Sequence, residues 1–311
     1  MEALQFRTDG TFKIVQFTDL HWTNGGEKDL QTQRLMRKVL EEERPDFVVV
    51  TGDLLSGGGC EDPRWSWRQA VLPIEEAGIP WAFVFGNHDD EGPCDRASLM
   101  ALTSEMKHCL TESGPEDLPG VGNYRLVVRR SEAGIDEREG GEPGAIFYFI
   151  DSQSYAPEEI GGWGWITHEQ VAWYRETAKA HRGEAGPNVP ALCFLHIPVP
   201  EYEDAWQAGA CVGMKGENVC APKVNTGFFA SLLEMGEVIG VFAGHDHVND
   251  YIGRRFGIYL AYGKVTGYST YPRDGQPRGA RVILLREGER NFETWIRLDD
   301  GRVLYNVTTS L

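Results

Sequence analysis

Basic residues are scarce in this sequence: 30 lysines and arginines stand against 47 aspartates and glutamates, a formal charge of −17. Such an excess works against nonspecific attachment to DNA, RNA or an anionic membrane surface, so no nucleic-acid-binding surface is expected. No apolar run approaches the length that crosses a bilayer, so no membrane segment is expected. The opening MEALQFRTDG has neither a basic nor an apolar leader region, which points to a cytoplasmic protein. Six cysteines, at 60, 94, 109, 193, 211 and 220, form no CxxC pair. Cys193, inside ALCFLHI, reads as a small buried hydrophobe, whereas Cys211 and Cys220 share a loop and would pair only in an oxidising compartment. No internal repeat or low-complexity linker divides the chain. Residues 1–311 are therefore expected to form a single domain.

What is present is an alternation of strands and helices. FKIVQFTD (12–19), DFVVVTGD (46–53) and WAFVFGN (81–87) read as buried strands. Between them, 29–43 has Leu30, Leu35 and Val39 at helical spacing, and 64–78 reads as a helix kinked or broken near Pro73. This order predicts parallel βαβ units with both sheet faces covered. A further helix is expected from Asp95 to about Cys109, then strands at 123–130 and 145–151 around an exposed hairpin loop, SEAGIDEREGGEPG. Thr167 with Gln170 three residues later forms a capping-box pattern that opens a helix over 167–182. Strands at 191–197 and 238–244, an irregular stretch at 198–225 and a helix near 226–235 follow. The β-rich part from about 251 to 311 is expected to complete a second sheet. Two facing sheets with helices outside, a four-layer α/β/β/α sandwich of the α/β class, would house these elements.

The polar residues at the strand ends carry the chemistry. Thr18-Asp19-Leu20-His21 follows the first strand, Gly52-Asp53 the second and Gly86-Asn87-His88-Asp89 the third. His196 ends a fourth strand, and Gly244-His245-Asp246-His247 ends a fifth. Singly, each has a plainer explanation: a Gly-Asp turn, an exposed Asx turn, a histidine closing a strand before proline. Together they place carboxylate, amide oxygen and imidazole at the carboxyl ends of strands, where α/β sheets build their sites. That donor mix suits borderline transition-metal ions, and it contains no cysteine, which argues against a structural zinc knot. In GHDH, strand geometry would put His245 and His247 on one side and Asp246 on the other.

D-x-H, G-D, G-N-H-D, a strand-end histidine and G-H-x-H in this order resemble the calcineurin-like metallophosphoesterase superfamily over residues 12 to 265. HIPVPEY, KVNTGFF and the GHDHVND loop are similar to its purple-acid-phosphatase-like branch. True purple acid phosphatases use a tyrosine ligand that colours their iron. His21 stands in the D-x-H position here, so the resemblance implies a non-purple site without a strict need for Fe(III). It implies two divalent or trivalent ions (Mn, Fe, Zn, Co or Ni), one held by Asp19, His21 and His247, the other by Asn87, His196 and His245, with Asp53 bridging. It further implies hydrolysis of a small phosphorylated substrate by in-line attack of a metal-bridging hydroxide. His88 would protonate the leaving group, with Asp89 orienting its ring. Phosphomonoesters are favoured; a phosphodiesterase of cyclic-nucleotide or glycerophosphodiester type, and a non-catalytic regulatory protein of the same fold, are the alternatives.

Other features are less specific. Trp163, Trp165 and Trp173 are candidates for a cleft wall, although helix-spaced aromatics usually belong to a core. Tyr202, Trp206 and Lys215 lie in the irregular stretch and suggest a cap over the site. Asn225, Asn249 and Asp250 are candidate substrate contacts, with ordinary turns the competing explanation.

Overall fold

The computed structural model describes residues 3–131, 141–185, 189–271 and 275–310. The chain begins β1 (Thr11–Phe17), α1 (Glu27–Glu43), β2 (Phe47–Thr51), α2 (Pro63–Ala77) and β3 (Trp81–Val84). All of β2 and β3 is buried, because helices cover one face and a second sheet the other. Asp62 caps α2 by accepting a hydrogen bond from the Trp65 amide, and Pro63 sits at the first turn, where its missing N–H costs nothing. The expected break at Pro73 does not occur. The proline is buried beside Ala70, Val71 and Ile74 on the packed face, and the helix continues to Ala77.

The helix expected to reach Cys109 is also shorter: α3 is Arg96–Met100, followed by a tight turn at Ala101–Glu105. Glu75 ends it, because its carboxylate accepts from the amides of Lys107 and His108. This draws the strand-like Cys109 against Trp81. The hairpin β4 (Tyr124–Arg129) and β5 (Pro143–Phe149) is antiparallel. Its expected loop lies mostly outside the described residues. Helix α4 (His168–Ala185) opens on the anticipated capping box: Gln170 Oε1 accepts from the Thr167 amide at 2.9 Å.

The chain continues through β6 (Ala191–Phe194), α5 (Glu201–Gln207), α6 (Phe228–Met235) and β7 (Val238–Ala243). It ends with β8 (Ile252–Arg255), β9 (Ile258–Tyr262), β10 (Gly279–Arg286), β11 (Phe292–Leu298) and β12 (Val303–Thr308). Two six-stranded sheets result, ordered β12-β11-β10-β1-β2-β3 and β4-β5-β6-β7-β9-β8. The carboxy-terminal part therefore does not complete one sheet. Its first two strands join the second sheet, while β10 pairs antiparallel with β1 in the first.

An aromatic core that includes Phe12, Phe47, Phe147, Phe194, Phe242 and Phe292 fills the space between the sheets. Two outer cores seat the helices, one with Leu35, Val39, Trp67 and Ile74, the other with Tyr174, Tyr202, Phe228 and Leu232. The four-layer α/β/β/α sandwich is thereby complete. Tyr202 belongs to this packing rather than to a cap: its hydroxyl donates to Val241 O and Ala261 O inside the sheet. Trp206 packs on Tyr251, and Lys215 pairs with Glu203 at 3.1 Å.

Candidate metal centre

The carboxyl ends of β1, β2, β3, β6 and β7 meet where the two sheets converge. After β1 and β2 the backbone leaves the strand conformation but stays paired, with the His21 amide donating to Asp53 O at 2.9 Å. Asp19, His21, Asp53 and His245 all have positive φ, at 53°, 47°, 50° and 76°. Non-glycine residues rarely adopt this region, and four at one site mark stored strain that turns each side chain inward. The glycines between them have a different reason. A Cβ on Gly52 would lie 2.4 Å from His196 Nδ1, and one on Gly244 would lie 2.1 Å from Thr18 Oγ1.

Among the described residues three groups of potential ligands form: Asp19, His21, Asp53 and His247; Asp53, His196 and His245; and, beside these, Cys220, His245 and Asp246. Asp53 is common to the first two. Its Oδ2 lies 3.3 Å from His21 Nε2 and 3.3 Å from His196 Nε2, with no hydrogen-bond partner among the described residues. Asn87 Oδ1 joins the second group, 3.1 Å from His196 Nε2. His247 Nε2 is 3.4 Å from Asp19 Oδ1 and 3.2 Å from His21 Nε2, and His245 Nδ1 is 3.2 Å from His196 Nε2. The GHDH pair is thus split between two groups rather than clasping one point. Asp246 faces away, its Oδ2 accepting from the Tyr262 hydroxyl at 2.5 Å and its carboxylate from the Cys220 amide.

Facing imidazole nitrogens at such distances need a proton or a cation between them, and a buried carboxylate oxygen without a donor needs a positive partner. The donor set fits transition-metal ions: oxygen and imidazole only, with ring orientation fixed from outside. His196 Nδ1–H donates to Thr51 O at 2.8 Å, which leaves Nε2 free to ligate, and His21 Nδ1 meets Ser56 Oγ at 2.9 Å.

The electrostatics agree. Burial raises Asp53, but the neighbouring His196 and His21 hold its carboxyl well below the usual range. Burial disfavours the charged form of His196, yet Asp53 carries it up to about 9. His245, buried and facing His196, falls to about 3.

His88 stands beside this centre, its ring centroid 5.0 Å from that of His21. Its expected partner, Asp89, does not touch the ring. Asp89 is buried and accepts from the amides of Asp53, Leu55 and Gly86, tying the third strand's loop to the second's. Glu91 holds His88 instead, through Oε2 at 2.7 Å from Nδ1.

The candidate substrate contacts are engaged elsewhere. Asn225 donates to Glu201 and accepts from the Gly227 amide. Asn249 and Asp250 are buried; Asn249 accepts from the amides of Gly216 and Glu217, and Asp250 pairs with Lys264 at 2.7 Å. Of the three tryptophans only Trp163 reaches the centre, edge-on to His245 at 4.2 Å. Trp165 lines a separate apolar crevice and Trp173 packs on the outer core.

Several residues at the site escaped the sequence reading. Tyr271 stacks on His247 at 4.2 Å, and Tyr155 accepts from Asn87 Nδ2 at 3.1 Å. Arg96, buried, pairs with Asp151 and Asp90 and donates to Gly86 O, anchoring the turn that carries Asn87 and His88. Only Glu91, three residues after His88, left a local sign of its role.

The pattern of the calcineurin-like phosphoesterases matches residues 12–249. Over 96% of its length the chain is 34% identical to Probable inactive purple acid phosphatase 28 of Arabidopsis thaliana, covering 83% of that protein. It is 32% identical over 96% of its length to Phosphatase DCR2 of Saccharomyces cerevisiae, of which it spans 55%. Its fold is similar to that of a dimetal phosphatase from Danio rerio, with a TM-score of 0.63 at 15% identity covering 96% of this chain and 98% of that one. From the matched pattern and the full-length relatives alike, this chain belongs to the calcineurin-like phosphoesterase family.

Proposed function

We propose that this chain is a metal-dependent phosphoesterase acting on small phosphorylated substrates, with monoesters preferred to diesters. The observation that carries the reading is Asp53 Oδ2, buried between His21 and His196 and shared by two ligand groups. Asp19, His21 and His247 would hold one ion, Asn87, His196 and His245 the other, and Asp53 both. When bound, two such cations supply charge neutralisation for a phosphoryl group and a water acidic enough to attack phosphorus near neutral pH.

The protein's own residues then place the proton. His88, half-exposed with its ring centroid 5.0 Å from that of His21, lies beside the centre, where it would donate the proton that a leaving alkoxide needs. Preference for monoesters rests on the phosphatase names of relatives aligned over almost the whole chain.

A non-catalytic family member is the competing reading, since three plant relatives carry the name Probable inactive purple acid phosphatase. The seven ligand positions and the proton donor are all filled here, which favours an enzyme. Metal analysis of the purified protein, joined to a panel of phosphomonoesters and diesters with each of Mn, Fe, Co, Ni and Zn, tests this. Turnover of monoesters with two ions per chain is expected. Stoichiometric metal without hydrolysis of any ester would favour the non-catalytic reading, and faster diester cleavage would reverse the substrate order.

A further inference from the structure

We propose that Glu91 is a positioning residue that sets the orientation of two groups at once: the His88 ring directly, and the Asn87 amide by way of Tyr155. The inference rests on the metal-dependent reading of the site above. Four side chains form one chain of hydrogen bonds. Asn87 Nδ2 is 3.1 Å from the Tyr155 hydroxyl, which is 2.5 Å from Glu91 Oε1, while Glu91 Oε2 is 2.7 Å from His88 Nδ1.

The direction of these bonds follows from counting protons. An ionised carboxylate can only accept, and a phenol has one hydrogen to give. Tyr155 therefore donates to Glu91, and its oxygen is left as an acceptor toward Asn87. The Asn87 NH2 must face that oxygen, so the amide carbonyl is turned inward to His196, where a cation would be held. On its other arm Glu91 requires a hydrogen on His88 Nδ1, which fixes the ring and leaves Nε2 as the nitrogen toward the reacting group. A single charge thus determines which atom Asn87 presents and which nitrogen His88 presents.

Supporting contacts hold the relay in place. Ser154 Oγ donates to Asn87 O at 3.2 Å, so neighbours on one segment grip Asn87 through backbone and side chain. The Tyr155 ring packs on Trp163 at 5.5 Å between centroids, and Trp163 in turn abuts His245. Tyr155, half-exposed, thereby links the Glu91 loop to the ligands of the second group.

Glu91→Gln is the discriminating variant because it keeps shape while converting one acceptor arm into a donor. It cannot accept from both Tyr155 and His88, so one partner loses its orientation. Tyr155→Phe separates the arms, since it releases Asn87 and leaves the Glu91–His88 contact intact. The first readout is Mn2+ binding to metal-free protein by calorimetry, which needs no turnover. Affinity at the weaker of two sites is expected to fall about 10- to 100-fold in Tyr155→Phe, in line with other outer partners of metal ligands.

The second readout is the His88 tautomer from imidazole 15N shifts in metal-free protein: Nδ1–H in wild type and Tyr155→Phe, and in Glu91→Gln either altered or, where the amide oxygen keeps His88, accompanied by the lower Mn2+ affinity of a released Asn87. A third follows with turnover. Glu91→Gln should lower kcat for an alkyl phosphate at least 10-fold more than for p-nitrophenyl phosphate, with KM changed less than kcat. Tyr155→Phe should leave that ratio as in wild type. Unchanged Mn2+ affinity in Tyr155→Phe, or a Glu91→Gln variant whose His88 tautomer and Mn2+ affinity both match wild type, would overturn the proposal. Absence of hydrolysis by wild type would count against the phosphoesterase reading alone, because the binding and tautomer measurements would still stand.

Discussion

Nε2 of His21 and Nε2 of His247 face each other across 3.2 Å, both rings buried. Two nitrogens at that distance need either a shared proton or a cation between them, and the unpartnered Asp53 Oδ2 beside them favours a cation. Bound ions should accordingly stabilise the fold, by about 2.7 kcal/mol at 100 times Kd for one site. Chelation is expected to lower the thermal midpoint and re-addition of metal to restore it. A melting curve indifferent to chelator would show that these nitrogens are not a cation's partners.

Asp53 is the one side chain common to both groups, so its replacement should be felt at both ions. Asp53→Asn is expected to lose at least about 100-fold in kcat and to release metal from both positions, since a ligand and a negative charge disappear together. Elemental analysis alongside turnover is the check. Full metal content with near-normal rate would refute the shared position.

The His88 side chain is in neither ligand group, and the backbone amide that donates to Asp53 Oδ1 at 2.9 Å survives substitution, so His88→Ala should leave metal content intact. General acid catalysis contributes about 10²- to 10⁴-fold, and it matters most where the departing alkoxide is a strong base. Alkyl phosphates are expected to lose rate on that scale and p-nitrophenyl phosphate far less. Equal losses across a leaving-group series would remove His88 from the proton-donor role.

Metal uptake should depend on pH through His196. In the metal-free chain its pKa rises from 6.5 to about 9, so its contribution to stability is complete below 6.5 and lost as the pH passes 9. Ligation needs the neutral ring, and an incoming ion must displace that proton below pH 9. Apparent affinity is expected to climb between pH 6.5 and 9, with proton release visible as a buffer-dependent binding enthalpy. His245, already neutral in this range, should add nothing to the trend.

Arg96 offers a test of the scaffold alone. It is buried and satisfies Asp151, Asp90 and the carbonyls of Gly86 and Gln153. Arg96→Met would leave Asp151 buried without its ion-pair partner, a change worth about 3–5 kcal/mol. Denaturant unfolding should show that loss, whereas a change below 1 kcal/mol would mean that water or a rearranged donor replaces the guanidinium.

The strand ends were legible because each is a short contiguous phrase, such as GNHD or GHDH, following an apolar run that no helix period explains. Contacts made across long stretches were not. Tyr155 reaches Glu91 over 64 residues, and nothing in DSQSY announces it. The alternation in ARVILLRE shows a strand but not which sheet it joins; its pairing with β1 comes from closing the two ends of the chain together. Asp89 was misread for a related reason. Adjacency to His88 suggested a side-chain pair, whereas the turn directs that carboxylate toward three backbone amides. Asn249 and Asp250 read as substrate contacts or ordinary turn residues because the segment they pin, 214–217, has no pattern of its own.

The left-handed backbone at Asp19, His21, Asp53 and His245 has a consequence for substitution at the site. Glycine would relax each position, by about 1–3 kcal/mol apiece. Exchange for glycine at any of the four would thus remove a polar side chain from the centre and ease the backbone in the same step. At these positions resistance to unfolding and the ability to hold a cation pull in opposite directions.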